Sequence, residues 1–166
     1  MRAMILALMI ATPALAQDGP AYDATLLPGC LDRAAADGTD LRACIGKASD
    51  ACMAAPGGDT TVGMVDCLMA ESKDWDRLLN AWYSKVMKVA KASDAEAGQL
   101  GSAAEPAAPA LQQAQRHWIA FRDATCRYQH LQYQGGTLGG PAAAGCLMEL
   151  TAEQALRLHA LTEGME

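Results

Sequence analysis

Residues 61–91 read TVGMVDCLMAESKDWDRLLNAWYSKVMKVAK, and their spacing decides the fold class. Apolar side chains stand at Met64, Cys67, Leu68, Trp75, Leu78, Leu79, Trp82, Val86 and Val89. The steps are threes and fours, with Glu71 on the one step that lacks an apolar residue. That period puts every one of these positions on a single face of an α-helix, whereas a half-buried strand would alternate. Lys85, Lys88 and Lys91 gather at the far end, where cations suit the negative pole of a helix dipole. The stretch therefore predicts one long amphipathic helix ending near Lys91.

The rest of the chain agrees with this reading. Ala and Leu abound, while Phe occurs once, Trp three times and Tyr four times. Ala and Leu favour helix, and the β-branched residues that favour strands are sparse. The expected fold is all-α, a small bundle of about four to five helices. A short helix is predicted over 30–36, ended at Gly38, and a second over 41–54. The loop APGGDTT (55–61) separates it from the long helix. SDAEAGQLGSAAEPAAP (93–109) reads as a low-complexity connector. Pro109 then suits a helix start, and that helix runs to about Tyr133. QGGTLGGP (134–141) has four Gly in eight residues and reads as an exposed, mobile loop. The last helix runs from Pro141 to before Gly164, with Cys146, Leu150, Leu158 and Leu161 inward.

The N-terminus reads MRAMILALMIATPALAQD. Arg2, an apolar run at 4–11 and the small-x-small site Ala14-Leu15-Ala16 are the marks of a secretory signal peptide. The run is too short to span a bilayer, which takes about 20 residues. Cleavage is expected after Ala16, and no Cys follows to carry a lipid anchor. The expected organisation is a signal peptide over 1–16, a flexible lead-in over 17–29 and a single helical domain over 30–163. The product would be periplasmic or secreted, with no membrane anchor.

Six Cys follow the signal: Cys30, Cys44, Cys52, Cys67, Cys126 and Cys146. An even number in an exported chain implies three disulfides, for which fifteen pairings exist. The layout favours nearest neighbours, because Cys30 with Cys44, Cys52 with Cys67 and Cys126 with Cys146 each join two helices across a turn. Loops of this size stabilise by about 3 kcal/mol apiece in the chain-entropy model.

The net charge of −6 becomes −7 once Arg2 is removed. From Gln17 to Asp76 there are eleven carboxylates against four Lys or Arg, and from Arg77 onward eight of each sign. All the net acidity lies in the first part. Nucleic acid, which needs a basic patch, is excluded as a partner, and a cationic protein fits the field better. Catalysis and metal binding find little support. No nucleophile-elbow motif occurs, and His117, His130 and His159 match no triad spacing. Asp74 and Asp76 point to different faces of the helix, and Glu71 with Asp74 is ordinary surface charge. His117 and His130 are too far apart for a zinc motif, and the Met residues fall at core-like steps. No enzyme activity, cofactor or metal is expected.

QRHWIAFRDATC (115–126) places Arg122 one turn from Trp118 and one turn from Cys126, on an inward stripe. A buried guanidinium must be paired, or it costs several kcal/mol. The expected partner is Asp76, or else Glu71, on the long helix near Trp75 and Asn80. That would make Asp76, Arg122, Trp118, Trp75 and Asn80 a structural clamp. The alternative is an Arg/Trp binding spot.

WDRLLNAWYSKVM, then LQQAQRHWIAFRDATC, then a Gly-rich loop, a Cys and TAEQALRL together resemble the lysozyme-inhibitor LprI-like N-terminal domain family of bacterial envelope proteins. The shared features run from Cys52 and Cys67 through Trp75, Asp76, Leu79, Asn80 and Tyr83. They continue through Leu111, Gln115, Arg116, Trp118, Arg122, Asp123 and Cys126, then Gly135, Gly136, Cys146, Thr151 and Leu158. The resemblance covers about 52–160 and implies a small, helical, disulfide-bearing envelope protein whose named member inhibits lysozyme. That member is lipid-anchored and this chain has no lipobox Cys. Cys30 and Cys44 add a hairpin beyond the shared pattern. An acidic exported protein would be steered towards a basic lysozyme. Contact is expected near the Cys52–Cys67 loop and Asp59, or at the Gly-rich loop with Gly135 and Gly136. The alternative is a non-inhibitory envelope module that binds another protein or a cell-wall component.

Overall fold

The computed structural model describes residues 19–164. Five α-helices are present: α1 (Leu26–Asp37), α2 (Lys47–Met53), α3 (Thr61–Gln99), α4 (Ala107–Leu131) and α5 (Gly139–Glu163). A 3-10 turn at Leu41–Cys44 joins α1 to α2. No strand occurs among the described residues. The predicted signal peptide at 1–16 lies outside them.

α3 is the spine. At 39 residues it is about 58 Å long. α5 runs parallel to it: Gly140 sits by Val65, Gly145 by Leu68, and Trp82 meets His159 edge-on at 4.6 Å between ring centroids. α4 runs antiparallel to α5, as the pairs Gln115–Gln154, Arg122–Thr151 and Cys126–Cys146 require. Small buried residues on α5 (Ala144, Ala152, Ala155) let the helices approach closely. Trp75, Leu79, Met148, Leu156 and Leu158 fill the space between them, and Leu27 of α1 closes the cluster. Three disulfides bind the helices, Cys30–Cys44, Cys52–Cys67 and Cys126–Cys146, each between cysteines adjacent in the sequence.

Several boundaries differ from the sequence reading, each for a local reason. The lead-in is helical from Leu26, four residues before Cys30, because Leu27 is driven into the core. Tyr22 is held too, its hydroxyl donating to Asp74 Oδ2 at 2.8 Å. The helix expected over 41–54 is broken at Gly46, whose φ of +86° suits only glycine without strain. α3 continues to Gln99, because Ala95, Glu96 and Ala97 of the supposed connector are good helix formers. Asp94 then accepts from the backbone N–H groups of Ala107 (2.7 Å) and Ala108 (2.9 Å), capping α4 across the turn. With that cap α4 starts two residues before Pro109.

Candidate functional site

The deepest polar feature is Glu71. Its stripe position between Cys67 and Trp75 aims it at the core, and its side chain is fully buried, which overturns its reading with Asp74 as ordinary surface charge. A buried carboxylate must accept hydrogen bonds or it is costly. Its Oε1 accepts from Gly46 N at 2.7 Å and from Trp75 Nε1 at 3.0 Å, and Oε2 accepts from Ser49 N at 2.7 Å. Gly46 is the N-cap of α2 and Ser49 lies in its first turn. Glu71 thus does for α2 what an N-cap side chain does locally, and its negative charge suits the positive pole. The signal for this role was present in the sequence: a carboxylate on a core-facing step needs donors, and a helix start leaves backbone donors unpaired.

The expected clamp takes a different form. Arg122 does not meet Asp76 or Glu71. Its Nε donates to Asp123 Oδ1 at 2.9 Å, its Nη1 reaches Thr151 Oγ1 on α5 at 3.4 Å, and its guanidinium lies 5.0 Å from the Trp118 ring centroid. Asp76 is taken instead by its own helix, Asn80 Nδ2 donating to its Oδ2 at 3.0 Å. The reason is a gap: α3 and α4 part here around a groove of about 320 Å³. Asp76, Asn80 and Tyr83 line it from α3, and Gln112, Arg116, Trp118 and Arg122 line it from α4. Trp75, the fifth residue of the proposed clamp, is wholly buried beneath, bonded to Glu71.

The two loops singled out for contact lie at one end of the bundle, since just after them a Cβ added to Gly140 would touch the Val65 side chain at 3.5 Å. Asp59 is exposed in the first loop. That loop is tightly seated: a Cβ at Gly63 would run into the Gly57 carbonyl oxygen, so the chain can pass only over glycine. Gly135 and Gly136 are exposed in the second loop, where Gln134 and Gly135 take positive φ of 50° and 85°. Each loop is braced by a disulfide, Cys52–Cys67 for the first and Cys126–Cys146 for the second. Large apolar side chains stand out to solvent around this end, Val62, Leu131, Tyr133 and Leu138. Asp66 is exposed there as well.

Among the described residues no group of three or more His, Cys, Asp or Glu is placed to hold a metal ion, and no cysteine is free. No helix among them is long and apolar enough to cross a membrane.

Comparison with known proteins follows the same lines. The family model described as Lysozyme inhibitor LprI matches residues 52–158. An uncharacterized protein of Rhizobium meliloti is 32% identical over 137 residues, which cover 81% of this chain and 99% of that protein. No solved structure matches.

Proposed function

Because this chain belongs to the lysozyme inhibitor LprI family, we propose that it is an exported binding protein that blocks a lysozyme by occlusion. Its three disulfides and its family indicate a site of action outside the cytoplasm. Export through the predicted signal peptide, with cleavage near Ala16, would deliver it to the periplasm or beyond.

The observation that carries the reading is the loop end. Two disulfide-braced loops, at 55–60 and 132–138, stand side by side at the start of α3 and α5. Loops held in advance lose little entropy on binding, which favours a partner with a fixed cleft. Asp59 and Asp66 belong to the part of the chain that carries its net negative charge, and a basic enzyme would be drawn to it. Val62, Tyr133 and Leu138 supply apolar area at the same end. Inhibition then needs no chemistry, only a surface that fills the glycan cleft.

The test is residual lysozyme activity on cell-wall substrate with the purified, oxidised mature protein added. Inhibition of at least one lysozyme type, weakened by salt, supports the reading. Absence of inhibition across several types removes it and leaves the non-inhibitory envelope module.

A further inference from the structure

α4 carries two stripes. One, with Gln115 and Cys126 buried on it, faces the bundle. The other is turned to solvent and has a regular spacing of its own. Ala107, Ala114, Phe121 and Tyr128 recur at sevens, and Ala110, His117, Ala124 and Leu131 recur at sevens between them. The steps alternate three and four, the spacing of a coiled-coil seam, and they run the whole of Ala107–Leu131. All of these positions are exposed and none bears a fixed charge. Phe121, the chain's one Phe, is 58% exposed, Tyr128 64% and Leu131 58%. Apolar knobs at this spacing gain free energy only when a second helix covers them.

The order of sizes along the seam identifies that helix. The first half is small, with Ala107, Ala110 and Ala114, and the second half is large, with Phe121, Tyr128 and Leu131. Ile119 is the middle residue of α4. If α4 of a second copy lies antiparallel with Ile119 level with the two-fold axis, Tyr128 faces Ala110 of the other copy and Leu131 faces Ala107. Ala124 then faces Ala114, and Phe121 faces His117. Large side chains meet small ones from end to end, which lets the layers interdigitate. A parallel copy would set Tyr128 on Tyr128 and Ala114 on Ala114, crowding one layer and leaving a gap in the other. The antiparallel arrangement is two-fold and closed, so each contact is made twice and no third copy is recruited. At 25 residues the seam is about 37 Å long and about 10–12 Å wide, roughly 400 Å² per copy. A total near 800 Å² belongs to a weak, transient pair rather than an obligate dimer.

We propose that the outer face of α4 is a self-association surface, on which a second copy of this chain docks antiparallel to form a weak two-fold dimer. The lysozyme reading plays no part in this inference, and the dimer is detected by mass alone.

The experiment is sedimentation equilibrium of the oxidised mature protein over a hundredfold range of concentration, up to millimolar. A reversible monomer–dimer equilibrium with no larger species is expected. Phe121→Glu combined with Tyr128→Glu changes only exposed positions. It should weaken association at least tenfold while the denaturant midpoint stays at the wild-type value. Ala110→Tyr should also weaken association at least tenfold, because the added ring collides with Tyr128 of the second copy. Ala110→Tyr combined with Tyr128→Ala exchanges the two sizes and should restore association to nearly the wild-type level. A face that was merely sticky would instead associate more tightly in Ala110→Tyr. A wild type that is monomeric throughout would leave the face to a partner of another kind and overturn the proposal. A dimer that persists in the double Glu variant, one not weakened by Ala110→Tyr, or an exchanged pair no better than Ala110→Tyr alone would each overturn it too.

Discussion

Replacing Glu71 tests how the N-terminal part of the molecule is held to the bundle. The carboxylate accepts three hydrogen bonds with no solvent contact, two of them from the N-cap and first turn of α2. Glu71→Gln keeps an oxygen for Gly46 and Trp75 but turns an NH₂ towards the Ser49 N–H. One bond is lost and a buried donor is left facing another donor, a loss of about 2–3 kcal/mol. Glu71→Ala orphans all three donors and opens a cavity, which should cost about 4–6 kcal/mol. For a chain of this length the milder variant should lower the Tm by roughly 4–12 °C. Thermal and denaturant unfolding with the disulfides intact would measure both, and amide exchange would locate the effect. The amides of Gly46 and Ser49 should exchange much faster in Glu71→Gln, while those in the middle of α5 change only with global stability. If Glu71→Gln unfolds within about 0.5 kcal/mol of the wild type, the reasoning that a buried carboxylate caps α2 is refuted, because a lost charge-assisted bond cannot be so small.

Other expectations follow from the same geometry. Gly63→Ala should destabilise by about 1–3 kcal/mol, read from denaturant midpoints, because its Cβ meets the backbone of the Gly57 turn and neither can yield. Removing the Cys52–Cys67 bridge by paired Ala substitution should cost about 3 kcal/mol and weaken lysozyme inhibition by more than that loss of fold explains, since the Asp59 loop is released. Tyr22 is pushed above the ordinary tyrosine range of about 10, first by burial and then by its bond to Asp74. A folded-state pKa raised in this way contributes stability that is complete below pH 10 and is lost as pH rises beyond it. The stability gap between wild type and Tyr22→Phe should therefore be constant at neutral pH and shrink above pH 10, as unfolding measured across that range would show.

Much of the architecture could be read from residue spacing because it rests on local physics. The stripe from Met64 to Val86 announces α3, and the Gly-rich loop announces the turn before α5. The cysteines, set on either side of turns, suggest their own partners. What escaped the reading depends on contacts between elements distant in sequence. Glu71 stood out as the irregular step of its stripe, but its partners sit on α2, more than twenty residues earlier. Arg122 is half-buried on its helix. Its partners turned out to be Thr151, which no spacing rule links to it, and the adjacent Asp123. Asp76 was free to face Arg122 in a helical wheel, yet the gap between α3 and α4 and the nearer Asn80 decided otherwise. The helix end at Gln99 is not legible in the sequence because a run of Ala and Gly resembles a linker, although Ala95, Glu96 and Ala97 carry α3 through it.

Occlusion of a lysozyme by the loop end of the bundle is the proposal that most needs a test. Its most direct measurement is a titration of lysozyme activity with three proteins: wild type, Asp59→Lys, and a variant with Gly135 and Gly136 both replaced by Lys. The wild type should inhibit to completion at a fixed stoichiometry. Both loop variants should remain folded and inhibit at least tenfold less well, the Asp59→Lys loss shrinking as salt is raised. Full inhibition by both loop variants, at the wild-type stoichiometry, would contradict it.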